Sequence, residues 1–571
     1  MVNLTVDGIK IAVEENTTIL AAAKQAGVEI PTLCYLEKLN EIGACRICCV
    51  EVEGENKLIA ACNNKVQEGM VVKTNTPAVR AARKTNIELI LSEHDCHCPT
   101  CVRSGNCKLQ KTANDLNVLD IPFETKVPKN ECYGLPLVRQ NSKCIKCMRC
   151  INVCENVQSL SVWDLLSTGG RTYVGVNPDH DIKTQCSLCG QCITHCPTGA
   201  LRERDDTDKV YDALADGEKI TVVQIAPAVR SAWGEAFGLS PEQATEKRMA
   251  AAVKALGFNY VFDTNFSADL TIMEEGTEFV KRVTEGGTLP MFTSCCPGWV
   301  RFMKSQYPEL SDNLSTAKSP QQMFGAIAKS YFAEKIGVDP KNIFCVSIMP
   351  CTAKKFESGV EVLSDACGDP DVDVVLTTRE LDRMLKADHI DVASLDEAEF
   401  DSPLGTGTGA AVIFGATGGV MEAALRTAVK LVTGNTPDAD AFSEIRGLKD
   451  RRVYDLKVDE NTTLTVAVTS GLGNARALIE DVKAGRVHYD FIEIMACPGG
   501  CAGGGGQPIH DGEERAGERG QVLYSLDKKN PLRYSHDNPD VAALYKEYLG
   551  EPLSHRSHEL LHTDFKTWNL K

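Results

Sequence analysis

Hydrophobic residues alternate with polar ones at the start of the chain, at Leu4, Val6, Ile9, Ile11 and Val13. This spacing predicts two strands, and the Asp7-Gly8 pair between them predicts a two-residue hairpin turn. Thr17 or Thr18 can cap a helix over ILAAAKQAG, which is predicted to end at Gly27. The first thirty residues therefore predict a hairpin followed by a short helix.

After about residue 210 the pattern changes to short apolar runs separated by helical segments. The runs are ITVVQIAP, FNYVFDT, NIFCVSIMPC, LTVAVTS and YDFIEIMAC. Apolar strands that alternate with helices predict α/β layers. Sheets of this kind bind ligands at the carboxyl ends of their strands, which is where this part of the chain has its few cysteines.

The 571 residues include 61 Lys and Arg against 78 Asp and Glu, a formal net charge of −17. This charge disfavours nucleic-acid binding. No apolar run approaches the roughly 18 residues of a membrane span, and the first residues lack the basic and apolar regions of a signal sequence. We therefore expect a cytoplasmic protein that binds neither nucleic acid nor membrane.

The 25 cysteines stand mostly in groups with gaps of two or three residues. In a long chain without an export signal, such groups predict metal ligands rather than disulfides. The first group resembles the set that holds a 2Fe-2S cluster in a β-grasp ferredoxin, with a longer first gap than the plant type. Its members are Cys34, Cys45, Cys48 and Cys62.

A second group follows a helical segment, PAVRAARKTNIELILSEH, and consists of His94, Cys98, Cys101 and Cys107. Three thiols and one imidazole are an ordinary structural zinc set, so zinc stays open on the residues alone. Between two iron-sulfur segments, the group resembles the His-ligated 4Fe-4S module of multi-cluster hydrogenases. Cys96 and His97 lie inside the group as alternative ligands.

Two further runs repeat one pattern, C-x2-C-x2-C-x3-C, which is that of the bacterial two-cluster ferredoxins. Two zinc ribbons would instead need CxxC pairs with a longer spacer. In the ferredoxin fold the fourth cysteine of each run binds the other cluster, which implies two 4Fe-4S sets. They are Cys144, Cys147, Cys150 and Cys196, and Cys186, Cys189, Cys192 and Cys154.

Two glycine-rich stretches invite comparison with phosphate-binding loops. Residues 405–410 fit a loose GxGxxA pattern, but the acidic EAEFDSPL before them is not a predicted strand, and residues 503–506 lack the GxxxxGK[ST] pattern. A nucleotide site is therefore not predicted.

Three motifs in the α/β part carry the chemistry: TSCCPGW at 293–299, MPCTAKKFE at 349–357 and EIMACPGGCAGGGGQP at 493–508. In this order, and behind these cysteine groups, they resemble the three signatures of the iron-iron (FeFe) hydrogenases. The resemblance covers essentially the whole chain and is closest to the monomeric, multi-cluster clostridial type. It implies the reversible reaction of two protons and two electrons to H2.

The resemblance also implies the cofactor and its ligands. Cys296, Cys351, Cys497 and Cys501 would hold the 4Fe-4S part of an H-cluster, and Cys501 would bridge to a diiron subsite. That subsite carries carbon monoxide, cyanide and an azadithiolate. The protein would supply binding, orientation and exclusion of water. We expect the glycines at 503–506 to let the backbone approach the cluster.

Proton transfer is assigned by the same resemblance. Cys295 would exchange protons with the amine of the dithiolate, and Glu275, Ser315 and Glu278 would continue the path outward toward Arg282. Glu275 and Glu278 are three residues apart in a predicted helix, so both can face one side.

Other residues of the family pattern would surround the cofactor. Lys354 would donate a hydrogen bond to a cyanide ligand, whereas Lys355 is expected to be a solvated lysine. The remaining contacts implied are Pro227, Ala228, Gln321, Met349, Phe414 and Met495, with Ala228 at a position that is serine in some relatives.

The sequence thus predicts a multidomain α/β and α+β protein. We expect a β-grasp 2Fe-2S domain at 1–78, a 4Fe-4S domain with histidine and cysteine ligands at 79–126, a two-cluster ferredoxin-like domain at 127–209 and a two-lobed α/β H-cluster domain at 210–571, with a C-terminal helix wrapping it. One 2Fe-2S cluster, three accessory 4Fe-4S clusters and one H-cluster are implied.

The expected partners are ferredoxin or flavodoxin as electron carrier and maturation proteins that insert the diiron subsite. Two alternatives remain: an electron-transfer subunit of a larger NAD- or formate-linked complex, and a catalytically slow hydrogen sensor or iron-sulfur assembly relative. No cysteine follows Cys501, which favours a stand-alone monomeric enzyme. The presence of Cys295 and all three motifs disfavours a sensor.

Overall fold

The computed structural model describes residues 1–131, 133–457 and 463–570, so Cys132 lies outside the described residues. A first module consists of β1 (Val2–Val6), β2 (Ile9–Val13), α1 (Ile19–Gln25), β3 (Cys49–Val52), β4 (Ile59–Ala60) and β5 (Val71–Lys73). Its strands are ordered β2-β1-β5-β3-β4, and β1 runs parallel to β5.

The local predictions for this module are confirmed. Val6 pairs with Ile9 across the Asp7-Gly8 turn. Of the two candidate caps, Thr18 caps α1 by accepting a hydrogen bond from the amide of Ala21 at 3.1 Å. Gly27 follows the helix with a φ of 74°, a conformation that glycine adopts without strain.

Two small modules follow. The second contains α2 (Pro77–Ser92) and α3 (Lys108–Asp115). The third contains β6 (Leu137–Arg139), α4 (Arg149–Asn152), β7 (Trp163–Leu166), β8 (Tyr173–Val176), α5 (Ile182–Gln185), α6 (Gln191–Thr194) and β9 (Leu201–Glu203). In the third module β6 pairs with β9 and β7 with β8, both antiparallel.

The main domain is built on two four-stranded sheets, which define its first and second lobes. The first, ordered β11-β10-β13-β14, is parallel throughout. The second, ordered β12-β17-β16-β15, is parallel except for the β15–β16 pair. The strands are β10 (Ile220–Ile225), β11 (Tyr260–Asp263), β12 (Met291–Phe292), β13 (Ile343–Met349), β14 (Val374–Thr377), β15 (Arg451–Lys457), β16 (Thr463–Ser470) and β17 (Phe491–Met495).

Helices cover these sheets. They are α7 (Thr207–Ala215), α8 (Glu246–Ala255), α9 (Thr264–Glu285), α10 (Pro297–Gln306), α11 (Pro320–Ile327), α12 (Ala333–Ile336), α13 (Lys354–Glu357), α14 (Thr378–Ala387), α15 (Gly409–Val412), α16 (Gly419–Thr433), α17 (Leu472–Lys483), α18 (Ala516–Lys529), α19 (Pro539–Leu544) and α20 (His555–Leu561). Among the described residues, none of the helices combines the length and apolar character that crossing a bilayer requires.

The third module and the second lobe share one apolar core. Val153 and Ile193 of the module pack in the same buried cluster as Trp299, Phe302 and Ile492 of the main domain. The loop at 188–191 also bonds directly to the main domain: Thr352 donates to the carbonyl oxygen of Leu188 at 2.6 Å and Gln191 donates to that of Gly503 at 2.9 Å. The module is therefore fixed against the second lobe rather than tethered to it.

The expectation that Lys355 is solvated is wrong. Its side chain is buried and forms ion pairs with Asp206 at 2.8 Å and Glu380 at 2.9 Å. It also donates to the carbonyl oxygen of Val375 at 2.7 Å. The sequence could not reveal this pairing because Asp206 lies 149 residues away. Lys355 thus joins the segment before α7 to the start of α14.

Lys355→Met is expected to lower the free energy of unfolding of the main domain by about 3–5 kcal/mol, because it leaves the buried carboxylate of Glu380 without its cation. Asp206 keeps its more exposed partners Arg204 and Lys209. Lys209→Met is the matched control. Lys209 pairs with the same Asp206 at 2.9 Å, but its side chain is 60% exposed, so the expected loss is about 0–1 kcal/mol. Pulse proteolysis in a urea series measures both. Equal losses for the two variants would contradict the buried role of Lys355.

Candidate active site

The carboxyl ends of four parallel strands meet around one cavity, called the central cavity here. β10 is followed by Ala226, β13 by Pro350, β12 by the Cys295–Cys296 pair and β17 by Ala496. The helices α9 and α11 begin at its wall with Thr264 and Pro320. Two sheets thus contribute their strand ends to one site between the two lobes.

All seven residues predicted to contact the cofactor line this cavity, although they come from distant parts of the chain. They are Pro227, Ala228, Gln321, Met349, Lys354, Phe414 and Met495. The other wall residues are mainly apolar, and the walls thus limit access of water to whatever binds there.

Four thiols line the central cavity: Cys295, Cys296, Cys351 and Cys501. The fifth thiol of the motifs, Cys497, lies behind the wall, and its Sγ is 3.6 Å from the carbonyl oxygen of Cys189 in the third module. Its charge nevertheless interacts with those of Cys351 and Cys296. A group anchored by these four motif thiols, without Cys295, would therefore lie between the cavity and the third module.

Lys354 brings a positive charge to the wall. Its Nζ donates to Glu357 at 2.8 Å and to the carbonyl oxygen of Cys295 at 3.1 Å. An ammonium has three donors, which leaves one for a ligand in the cavity. Gln321 has a buried Oε1 with no hydrogen-bond partner among the described residues.

Glu357 was not predicted from the sequence. It is fully buried and also accepts hydrogen bonds from Ser319 at 2.9 Å and Gln321 at 3.0 Å. Its position three residues after Lys354 at the start of a helix is a signal that could have identified it, since such pairs lie on one face.

Glu275 and Glu278 lie on one face of α9, as their spacing predicts, and both are buried. Ser315 donates to Glu278 at 2.8 Å, and Arg282 pairs with Glu278 at 2.6 Å near the surface. The carboxyl oxygens of Glu275 have no hydrogen bond within the described structure, while the Ser315 hydroxyl and the Ser294 amide face them. These side chains form a line from the cavity wall outward.

Glu275, at the inner end of this line, is protonated at neutral pH. Burial, and after it the charge of Glu278, raises the pKa of Glu275 to about 8. Burial likewise raises the pKa of the Cys295 thiol well above its ordinary value. Both groups are therefore proton donors below pH 8, and a carboxyl group with a pKa near the working pH exchanges protons efficiently.

We expect a protonated-carboxyl infrared band that disappears as the pH rises through about 8 and is absent from Glu275→Gln, because this acid is neutral below its raised pKa and ionised above it. Glu274→Gln is the matched control. Burial acts to raise the pKa of Glu274, but hydrogen bonds from His562 and Tyr545 lower it overall. Glu274 therefore does not contribute to the band, and Glu274→Gln should retain it. A band that still titrates near pH 8 in Glu275→Gln would contradict the assignment, whereas the bands of Asp382 and Glu493, whose pKa values burial also raises, should remain.

The cysteines of the accessory groups come together as their spacing predicts. In the first module the thiols of Cys34 and Cys45 are within hydrogen-bonding reach of each other, and so are the thiols of Cys48 and Cys62. The four thiols of the first crossed set, Cys144, Cys147, Cys150 and Cys196, line one small cavity. In the second crossed set, Cys154 interacts electrostatically with Cys186 and Cys189.

The second module contains the candidate ligands His94, Cys98, Cys101 and Cys107. His94 is buried with an unpaired Nδ1, and the charge of Cys101 acts on Cys107. Cys96 is exposed. Among the described residues, no three His, Cys, Asp or Glu side chains converge at the distances of a single bound ion.

The glycines at 503–506 pack closely against other backbone segments, and none of them lines the central cavity. A Cβ on Gly505 would lie 2.3 Å from the carbonyl oxygen of Cys189, and one on Gly504 would lie 2.1 Å from that of Pro350. These glycines therefore allow backbone segments to touch one another. Near Gly405, the acidic segment before the loop forms no strand, as expected.

The fold and the grouped thiols define an iron-sulfur oxidoreductase with accessory modules. The model for the C-terminal domain of the iron-only hydrogenase large subunit matches residues 219–505, and that for the iron hydrogenase small subunit matches 513–568. Models of a 2Fe-2S iron-sulfur cluster binding domain, of the NADH-ubiquinone oxidoreductase-G iron-sulfur binding region and of a 4Fe-4S dicluster domain match 1–77, 83–122 and 143–200.

Known proteins agree with these matches. The NADP-reducing hydrogenase subunit HndD of Solidesulfovibrio fructosivorans is 47% identical, with 99% of each chain covered. Iron hydrogenase 1 of Clostridium pasteurianum is 39% identical over 99% of this chain and 100% of its own. Apo FeFe hydrogenase HydA1 of Chlamydomonas reinhardtii is 45% identical, with a TM-score of 0.56 over 62% of this chain and 98% of its own. The chain belongs to the FeFe hydrogenase family.

Proposed function

We propose that this FeFe hydrogenase catalyses the reversible reaction of two protons and two electrons to H2 in the central cavity. The observation that carries the proposal is that all seven predicted contact residues and three of the four predicted ligand thiols line one cavity, with Cys295 beside them. When bound, an H-cluster supplies the open iron and the bridgehead amine at which H2 is formed or split.

The donor set fits this group. Soft thiolates suit an iron-sulfur anchor, and Cys296, Cys351, Cys497 and Cys501 would hold its 4Fe-4S part, with Cys501 also reaching the cavity that would hold the diiron part. The ammonium of Lys354 faces the cavity, where an anionic cyanide would accept its remaining hydrogen bond. Met349, Phe414 and Met495 would exclude water around the cluster.

The chain's own residues would move protons between this cavity and solvent. Cys295 lies at the wall, and the charge of Glu275 acts on it. From Glu275 the path would continue through Ser315 to Glu278, whose partner Arg282 is near the surface. The one weakly connected step is at Glu275, whose carboxyl group can turn toward either neighbour because no described hydrogen bond holds it.

Iron-sulfur clusters bound by the accessory ligands would carry electrons. We assign a 2Fe-2S cluster to the first module, a 4Fe-4S cluster to the second and two 4Fe-4S clusters to the third. The ligands would be Cys34, Cys45, Cys48 and Cys62; His94, Cys98, Cys101 and Cys107; Cys144, Cys147, Cys150 and Cys196; and Cys186, Cys189, Cys192 and Cys154.

An infrared spectrum of anaerobically matured protein, recorded under argon and then under H2, tests the function. Terminal carbon monoxide and cyanide bands that shift under H2 are expected, because the central cavity would hold a working diiron site. Absence of these bands despite maturation would contradict the proposal and indicate a plain 4Fe-4S cluster in the motifs.

Cys295→Ala is expected to lower H2 turnover about 10²–10⁴-fold, because it removes the group that exchanges protons at the cavity wall. Iron content and the carbon monoxide bands should stay nearly unchanged, since Cys295 is not a proposed ligand. Cys367→Ala is the matched control, as this half-buried thiol is absent from the cavity wall. Full turnover by Cys295→Ala would remove the residue from the path.

The electron carrier is either ferredoxin or flavodoxin, or a partner subunit that reduces NADP. The second candidate is favoured by the 47% identity over 99% of both chains to a subunit of an NADP-reducing hydrogenase. The purified chain alone, supplied with H2, should reduce ferredoxin under the first candidate. Under the second, it should reduce neither ferredoxin nor NADP until partner subunits are added.

A further inference from the structure

The loops that carry two of the proposed clusters meet at one buried side chain, Asn40. Its Nδ2 donates to the carbonyl oxygen of Cys34 at 2.7 Å and to the carbonyl oxygen of Cys147 at 2.9 Å. Cys34 belongs to the first module, whereas Cys147 belongs to the third module, 113 positions further along the chain. One amide nitrogen thus links two residues that are each proposed to ligate a cluster.

The orientation of this amide is fixed. Both Nδ2 hydrogens point at carbonyl oxygens, and the Oδ1 accepts a hydrogen bond from Asn152. A flipped amide would set an oxygen against two carbonyl oxygens and lose all three bonds. The backbone of Asn40 is held as well, since its N–H donates to the carbonyl oxygen of Leu36 at 2.8 Å. Asn40 is fully buried, so water does not compete for these bonds.

Arg149 supports the same contact from the third module. Its guanidinium is fully buried and donates to the carbonyl oxygens of Cys34 at 3.1 Å and Tyr35 at 2.9 Å. The carbonyl of Cys34 therefore receives two donors. The thiols of Cys34 and Cys147 are close enough for the charge of Cys147 to act on Cys34.

We propose that Asn40 is a positioning residue that connects the 2Fe-2S site electronically to the 4Fe-4S site of Cys147, which rests on the ligand sets of the proposed function. The connection runs from the Cys34 thiolate along its backbone to the carbonyl, across the amide nitrogen of Asn40, and back through Cys147. With both clusters bound, this connection would let one electron pass from a 4Fe-4S centre that H2 has reduced to the 2Fe-2S centre, which would become reduced as the 4Fe-4S centre becomes oxidised. No proton or group moves with it.

Asn40→Leu tests this connection, because leucine has a similar size and cannot donate a hydrogen bond. Electron paramagnetic resonance of the matured, dithionite-reduced protein reports two interactions between the reduced centres, an exchange splitting and a dipolar broadening. We expect the exchange splitting between the two reduced centres, which depends on the bonded connection, to be lost. The dipolar broadening, which depends on distance alone, should stay, and a purely structural role of Asn40 would change both.

A freeze-quench series after mixing with H2 gives a second readout. In Asn40→Leu the 2Fe-2S signal should appear several-fold later than in the unaltered protein, while the 4Fe-4S signals appear at the same time. Asn64→Leu is the matched control: its amide donates to the carbonyl oxygen of Ala60 at 2.8 Å within the first module and has no described bond to the third. It should leave splitting and timing unchanged.

Unchanged splitting and timing in Asn40→Leu, with both clusters present, would overturn the connection. If this variant loses the 2Fe-2S cluster, Asn40→Ser takes its place, since a short hydroxyl reaches one carbonyl at most, and the same losses are expected. Unaltered protein that contains both centres but shows no splitting would overturn the connection alone. Unaltered protein without a 2Fe-2S signal would overturn the ligand set of the first module and the connection with it.

Discussion

Direct backbone contact between the third module and the main domain is the constraint on which the rest of the structure depends. Gly505 approaches Cys189 and Gly190 so closely that any side chain at either glycine would collide: a Cβ on Gly190 would lie 2.9 Å from the Cα of Gly505. This contact places the Sγ of Cys497 beside the carbonyl of Cys189. Trp299, Ile193, Cys189 and Cys497 belong to one buried core, and its close packing holds Cys497 of the main domain near Cys189 of the third module.

The same close packing determines the acid-base properties of the site. A dry cavity raises the cost of every charge near it, so charges there are either paired or neutralised by protons. Lys354 keeps its charge because Glu357 is 2.8 Å away. Glu275 has no cation within bonding distance among the described residues and takes up a proton instead. Lys354 is thus suited to position a ligand by its charge, whereas Glu275 is suited to exchange protons.

Much of this arrangement could be predicted from local sequence. The hairpin at Asp7-Gly8, the cap at Thr18 and the strand-end thiols follow from short-range patterns, and the family motifs identified the cavity wall residue by residue. Contacts between distant segments could not be predicted. Lys355 forms an ion pair with Asp206, and Asn40 donates a hydrogen bond to the carbonyl oxygen of Cys147. The sequence around each residue gives no sign of its distant partner.

The segment that joins the two hydrogenase family matches illustrates how far such contacts reach. Asp511 pairs with Lys108 of the second module and with Arg149 of the third, while Glu514 is 3.2 Å from His195. The carbonyl oxygen of Ile509 accepts a hydrogen bond from Asn106 at 3.0 Å, across 403 residues. These contacts hold both accessory modules against residues 509–514 of the main domain. One short segment thus fixes the positions of the second and third modules on the main domain.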